Sequence, residues 1–397
     1  MVELLAPAGD FERMQFAIAY GANAVYLSGT SFGLRAKAKN FDDNQLEAAI
    51  EYAHNYGVRV YVTANIFAHN NDVDEMRGYF KGLAKMGADA FIISDPGVMM
   101  LAKEEAPNVE IHISTQANTT NYASANFWQQ MGASRVILAR ELSLAEISKL
   151  REKSSILLEG FVHGAMCMSY SGRCMLSKYM TDRDANLGAC AHPCRYDYSL
   201  YVEEKERPGN FMPVRETERG TDIFAADDLC MIEHIPKMIE AGLSSLKIEG
   251  RMKSAFYVGL TTLAYRRAID DYYSGKSSDY MDLLKMASHR TFSTGFYFNK
   301  PLDSIGAAPY ERSHDFVGIV RSYENGKVVI EQRGKFEAGD ILTFIQPKAE
   351  MFSCKANEIW NENGIKIASA PHSKQMTTVE IPQEAQEMTL VCRTPKQ

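Results

Sequence analysis

Five of the chain's seven cysteines fall between residues 167 and 230. Six residues separate Cys167 from Cys174, fifteen lead on to Cys190 and three more to Cys194, with Cys230 following at a distance. Soft thiolates drawn from one segment are what iron–sulfur clusters and thiolate zinc sites require. Structural zinc ordinarily takes paired ligands about two to four residues apart, so the first spacing favours an iron–sulfur group over a zinc ribbon. Merely packed thiols are a poor account of so dense a set. Four conventional ligands among five candidates leave either Cys194 or Cys230 outside the set. Cys354 and Cys392 lie far downstream and read as ordinary buried thiols.

Cationic side chains crowd the same segment: Arg173, Lys178, Arg183, His192 and Arg195. Cations stabilise thiolates and suit an anionic substrate, phosphate or carboxylate. Pairing with Asp182, Asp184 and Asp197 explains them equally well. Two further stretches are basic. RAKAK, from Arg35 to Lys39, reads as a solvated face. In LKIEGRMKS, from Leu246 to Ser254, strand alternation puts Lys247, Glu249, Arg251 and Lys253 on one side. A charged row there is costly unless it is paired or meets a ligand. GTSFG fits a nucleophile elbow around Ser31, but that motif needs a helix after the turn, and LRAKAKNF reads as a loop. There is no HExxH helix and no P-loop.

The elements that must position these groups repeat along the first two-thirds of the chain. A helical pattern, a glycine-initiated turn and a short apolar run recur at GANAVYLS, GVRVYVT, GADAFIIS, GASRVILA and GLSSLKIE. Glycine after a last helical turn is the expected C-cap, and alternating strands and amphipathic helices argue for βαβ units. With ELLAPAG, VEIHIST and ILLEGFVHG there are eight candidate strands, starting near Val2, Ala24, Arg59, Ala90, Val109, Arg135, Ile156 and Ser245. The expected fold is a (β/α)8 TIM-like barrel. An open doubly wound sheet is the alternative, disfavoured by the strand count and by the lack of a glycine-rich dinucleotide turn. Barrel enzymes build their sites at the C-terminal strand ends. There Asn65, Gln116, His163, Glu249 and Arg251 stand out, with His163, Glu249 and Arg251 as candidate catalytic residues.

The last two strands lie far beyond an ordinary βα loop from each other. This insertion, about 165–240, carries the clustered cysteines over the barrel mouth. It also holds SLYVEEKE and TDIFAADDL, which could pair as a hairpin. A helix is expected from Ser254 to about Gly275. From Phe316 short alternating strands with an Asn-Gly turn suggest a small β-barrel. The expected organisation is a barrel over 1–291, a linker over 292–313 and a β module over 314–397. The 397 residues, 46% hydrophobic and 23% charged, suit a globular protein. A net charge of −7 confines any nucleic-acid contact to a local basic patch. No apolar stretch approaches a membrane span and the start lacks signal-peptide character. The expected location is the cytoplasm, where clustered cysteines favour metal chemistry over disulfides.

The segment EGFVHGAMCMSYSGRCMLS, from Glu159 to Ser177, resembles the signature of the collagenase-like peptidases, family thirty-two of the unclassified peptidases. ELLAPAGDFE, FGLRAKAKNF, RDANLGACAHPCRYDY, DDLCMIEHIP and LKIEGRMKS resemble other segments of that family, so the similarity runs the length of the chain. The resemblance implies a barrel with a cysteine-bound iron–sulfur cluster whose ligands are Cys167, Cys174 and Cys190, with Cys194 or Cys230 as the fourth. It implies a [4Fe-4S] type. It also implies oxygen-independent hydroxylation, closest to the branch that makes 5-hydroxyuridine at the tRNA wobble position with prephenate as oxygen source. Other branches hydroxylate a ribosomal RNA cytidine or the ubiquinone ring, and the family name implies a peptidase. On this view Arg35, Arg173, Lys247 and Arg251 become candidates for the prephenate carboxylates or RNA phosphate, and the partner is the tRNA anticodon region. A zinc-stapled RNA-binding protein without catalysis is the remaining alternative.

Overall fold

The computed structural model describes residues 1–33, 40–166, 176–181, 183, 190–191, 193, 201–203, 208, 211–213, 227–298 and 310–395. Eight parallel strands close into a barrel: β1 (Glu3–Pro7), β2 (Ala24–Leu27), β3 (Arg59–Ala64), β4 (Ala90–Ile93), β5 (Glu110–Ile113), β6 (Arg135–Ile137), β7 (Leu157–Ala165) and β8 (Ser245–Ile248). Each pairs with its neighbour in chain order, and β8 closes the ring by pairing with both β7 and β1. All eight lie where the apolar runs place them. The recurring glycines Gly21, Gly57, Gly87, Gly132 and Gly242 all take positive φ as the chain leaves a helix for a strand.

The helices start on the caps their sequences offer. Asp10 accepts from the Arg13 amide to open α1 (Phe11–Ala19). Asp42 and Gln45 form a capping box on α2 (Asp43–Asn55). Then come α3 (Asn70–Met86), α4 (Pro96–Glu105), α5 (Tyr122–Gln130), α6 (Leu144–Lys153) and α7 (Ile235–Glu240). The long helix α8 (Ala255–Ser274) runs from a Ser254 cap to a left-handed Gly275, and a short helix, Met281–Lys285, follows it. Their buried faces and the strands form one apolar core. No helix among the described residues is long and apolar enough to cross a membrane.

The insertion pairs differently from the expected hairpin. Tyr201–Glu203 pairs with Phe211–Pro213, not with TDIFAADDL. The end of TDIFAADDL instead supplies a strand, Asp228–Cys230, that lies antiparallel on β7, with Cys230 opposite His163. Alternation identifies a strand but cannot name its partner. Phe292–Ser293 then adds to the far side of Asp228–Cys230.

From Asp315 the chain forms an antiparallel half-barrel. Its first hairpin, β9 (Asp315–Glu324) and β10 (Lys327–Gln332), turns at Asn325-Gly326, both with φ above zero. Six more strands complete the main sheet around a second apolar core. Cys354 is half-buried against this core, whereas Cys392 is buried in the apolar core continuous with the barrel. The half-barrel is pinned to the barrel by Tyr20. The hydroxyl of this fully buried residue donates to the carbonyls of Ile345 (2.7 Å) and Met388 (3.0 Å) and accepts from the Leu390 amide (3.1 Å). Beside it Arg333 makes a two-pronged ion pair with Glu12, and Phe256 stacks on Phe316 at 4.9 Å.

Candidate active site at the barrel mouth

A cavity opens at the C-terminal ends of the barrel strands, bordered among others by Asn65, Gln116, Arg140, Phe161, Lys247, Glu249 and Arg251. Four of these, Asn65, Gln116, Glu249 and Arg251, are strand-end residues that stand out in the sequence. β8 ends at Ile248 and the chain turns at Arg251, so the charged row is shorter than alternation suggests. Lys247, Glu249 and Arg251 still face the cavity. Lys253 leaves it and lies over the rings of Tyr257 (5.1 Å) and Tyr310 (5.2 Å).

Lys247 points up the inside of the barrel. Its Nζ is 3.0 Å from Glu159 Oε1 and 4.4 Å from the centre of the Tyr26 ring. Glu159 also accepts from Arg135 Nη1 at 3.0 Å, and Arg135 reaches down to Glu3. Four strands thus contribute one ladder of alternating charge, Glu3–Arg135–Glu159–Lys247, where barrels usually stack aliphatic layers. Burial works to raise the Glu159 pKa, but Lys247 and Arg135 outweigh it and hold it at about 2. Burial pushes Lys247 down, opposed by Glu159. No local pattern joins these residues, because they come from β1, β6, β7 and β8.

The upper wall is polar and cationic. Arg251, also buried, donates from Nη1 to Thr63 Oγ1 at 3.1 Å. Glu249 Oε2 accepts from the Tyr26 hydroxyl at 3.1 Å, and the Glu249 carbonyl accepts from Tyr257 at 3.0 Å. Asn65 donates to Ser114 Oγ at 3.2 Å. Arg140 is a residue the sequence reading passed over. Its guanidinium lies flat on Phe161, 3.8 Å from the ring centre, and Nη1 donates to the Ala165 carbonyl at 2.7 Å. Its only signal in the sequence is its place at the polar end of the apolar run VILA.

His163 does not border the cavity. The β7–β8 register slips between Lys247 and Ile248, so that Lys247 faces Phe161 while Ile248 faces His163. This bulge reverses the alternation and turns His163 to the outer face. There it packs against Tyr257, Tyr265 and Phe292, with Nδ1 3.3 Å from the Tyr265 hydroxyl. Burial pushes its pKa down to about 3. Gly164 makes the bulge possible: its φ is +108°, and a Cβ would meet the Glu249 carbonyl oxygen at 2.5 Å.

Of the cysteine set, Cys190 and Cys230 are described; Cys167, Cys174 and Cys194 lie outside the described residues, as do Arg35 and Arg173. Among the described residues no three metal-ligating side chains come together. Two features show how the described parts of the cysteine segment are held. The Ser177 hydroxyl donates to the Arg183 carbonyl at 2.6 Å and accepts from the Ala191 amide at 2.9 Å. It ties the segment after Cys174 to the residue after Cys190. Arg183 Nη2 donates to the Cys190 carbonyl at 3.3 Å. Cys230, on the strand that lies against β7, is buried with its Sγ 3.8 Å from the Tyr265 hydroxyl, and β7 ends two residues before Cys167.

The fold and this mouth define a (β/α)8 barrel with a charged, cation-rich site at its catalytic end and a β domain at its side. Residues 9–305 match Peptidase family U32 and residues 312–391 match the Peptidase family U32 C-terminal domain. The chain belongs to this family. It is 39% identical to tRNA hydroxylation protein P1 of Bacillus subtilis over 96% of this chain and 92% of that one. To tRNA hydroxylation protein P of Escherichia coli it is 36% identical, covering 96% and 94%. To the 23S rRNA 5-hydroxycytidine C2501 synthase of Escherichia coli it is 32% identical over 80% of this chain and 48% of that protein.

Proposed function

We propose that this protein is an RNA-modifying enzyme that hydroxylates the wobble uridine of tRNA to 5-hydroxyuridine without molecular oxygen, with prephenate as the oxygen source. The observation that carries the reading is the barrel-mouth cavity, where Arg140, Lys247 and Arg251 gather with Glu249 among the described lining residues. Cations held in a partly water-excluded site bind a small carboxylate far better than a surface patch does. Likeness to the tRNA hydroxylation proteins over nearly the whole chain supports RNA as the substrate.

In this reading Cys167, Cys174 and Cys190, with Cys194 or Cys230, hold an iron–sulfur cluster of the [4Fe-4S] type. When bound, the cluster supplies electron transfer or polarisation of the oxygen donor. The chain's own residues do the rest. Arg140 and Lys247 fix the anionic donor. Glu249, held by Tyr26, is the carboxylate placed to take or return a proton at Oε1 or Oε2. Arg251, fixed on Thr63, supports the same anion, and Arg35 and Arg173, which lie outside the described residues, are the candidates for RNA phosphate. The half-barrel is the docking domain for the anticodon region. His163 keeps a place beside the cysteine-bearing strand rather than at the substrate.

Mass spectrometry of nucleosides from bulk tRNA tests this directly. A strain lacking the gene should lose 5-hydroxyuridine and its derivatives, and the same content in both strains sinks the tRNA assignment. Protein isolated anaerobically should carry iron and labile sulfide; zinc without either supports the non-catalytic alternative.

A further inference from the structure

Among the cations at the cavity, Arg140 differs in its pairing. Lys247 is matched by Glu159 at 3.0 Å, whereas among the described residues no carboxylate pairs with Arg140. Its guanidinium is half-buried and held on two sides, by the Phe161 face at 3.8 Å and by the Ala165 carbonyl at 2.7 Å. A planar cation so fixed has lost its conformational freedom before any ligand arrives. It still has N–H donors beyond the one given to Ala165. The cavity it borders is about 110 Å³, well below the roughly 300–1,000 Å³ of sites that enclose a whole ligand. That space admits an end group and not a nucleotide.

We infer that Arg140 is the specificity-determining anchor for one carboxylate of the small anionic co-substrate, which enters the cavity carboxylate first and leaves its remaining bulk toward the mouth. The planar fork selects a carboxylate by paired hydrogen bonds, and Lys247, held upright by Glu159, adds a point charge beneath it. The assignment rests on the reading of this cavity as the co-substrate site. It adds a consequence of its own. Ala165 is the last residue of β7, two before Cys167, so the anchor also clamps the strand from which the cysteine segment departs.

Titration calorimetry of the full chain with prephenate tests the anchor without requiring turnover. Arg140→Met should weaken binding about tenfold or more. Arg140→Lys, which keeps the charge and loses the fork, should stay about threefold or more weaker than the parent. Lys149→Met, which removes an exposed cation on α6, should bind as the parent does. Retained thermal melts confirm that each variant is folded. Binding by Arg140→Met within about twofold of the parent overturns the assignment, as does a parent protein that takes inorganic phosphate as tightly as prephenate or fails to bind prephenate at all. The tRNA reading is judged separately. If deletion leaves 5-hydroxyuridine unchanged while Arg140→Met still loses prephenate, the anchor stands and the RNA substrate falls.

Discussion

Lys247 Nζ lies 3.0 Å from Glu159 Oε1 in the barrel interior, both side chains shut off from water. The pair works because Glu159 is shared with Arg135 on its other oxygen, so no charge in the ladder is left alone. Breaking such a pair is far costlier than replacing it whole, since the survivor stays buried and uncompensated. Glu159→Gln should therefore lower unfolding stability by about 3–5 kcal/mol. The double variant Glu159→Gln with Lys247→Met should recover part of the loss. Chemical denaturation of the three proteins checks the order, and a double variant less stable than Glu159→Gln alone refutes it.

The same carboxylate sets a pH dependence. Glu159 titrates at about 2 in the folded protein and at about 4.3 when unfolded. A depressed acid contributes stability that is whole above the unfolded pKa and is lost as pH falls toward the folded one. Between about pH 5 and 2 the parent should lose on the order of 3 kcal/mol through this group. Glu159→Gln should show a correspondingly flatter acid limb in denaturant midpoints, and parallel limbs would exclude the pair as their source.

Ser177 is the tie between the Cys174 and Cys190 segments. Ser177→Ala should reduce the iron retained after anaerobic isolation while leaving the barrel's thermal transition near that of the parent. Cys190→Ser should remove the iron altogether. Of Cys194→Ser and Cys230→Ser, one should keep iron at the parent's level and the other lose it. Iron and sulfide content decides, and full retention by Cys190→Ser contradicts the ligand set.

Tyr20→Phe deletes three buried hydrogen bonds that join the two domains. Two carbonyls that share the hydroxyl proton and one amide lose this buried partner in the interface, at a cost of about 2–4 kcal/mol. Differential scanning calorimetry should show a lowered transition, and a change below about 0.5 kcal/mol would mean that water replaces the hydroxyl.

Gly164→Ala meets two obstacles at once, a φ of +108° and a backbone oxygen at 2.5 Å. Neither can be relieved by turning a side chain. Destabilisation above about 3 kcal/mol, or failure to accumulate as folded protein, is expected. Expression followed by thermal melting checks it.

Much of this architecture is legible in the residues. The barrel could be read because five of its eight strands repeat the same local instruction, a helix, a glycine and a short apolar run, and because the strands are largely buried on both sides. The β domain announced itself through Asn325-Gly326 and alternating runs. What could not be read depends on pairing between distant segments. The ladder from Glu3 to Lys247 joins four strands, and each member alone is one charged residue in an apolar run. Asp228–Cys230 reads as a hairpin arm, because alternation says nothing of the partner. His163 sits two residues beyond Phe161, which alternation turns inward, and only the register slip at β8 sends it out. Arg140 gave no pattern at all; its meaning comes from Phe161 and Ala165, contributed by another strand.

The bulge in β7 makes that strand a party wall. Up to Phe161 its side chains furnish the chamber at the barrel mouth; from His163 they furnish a second room, shared with Cys230, Tyr257 and Tyr265. The two rooms have no side chain in common, yet they share one run of backbone, with Arg140 leaning on its far end. Displacement of that shared backbone would move the walls of both rooms together.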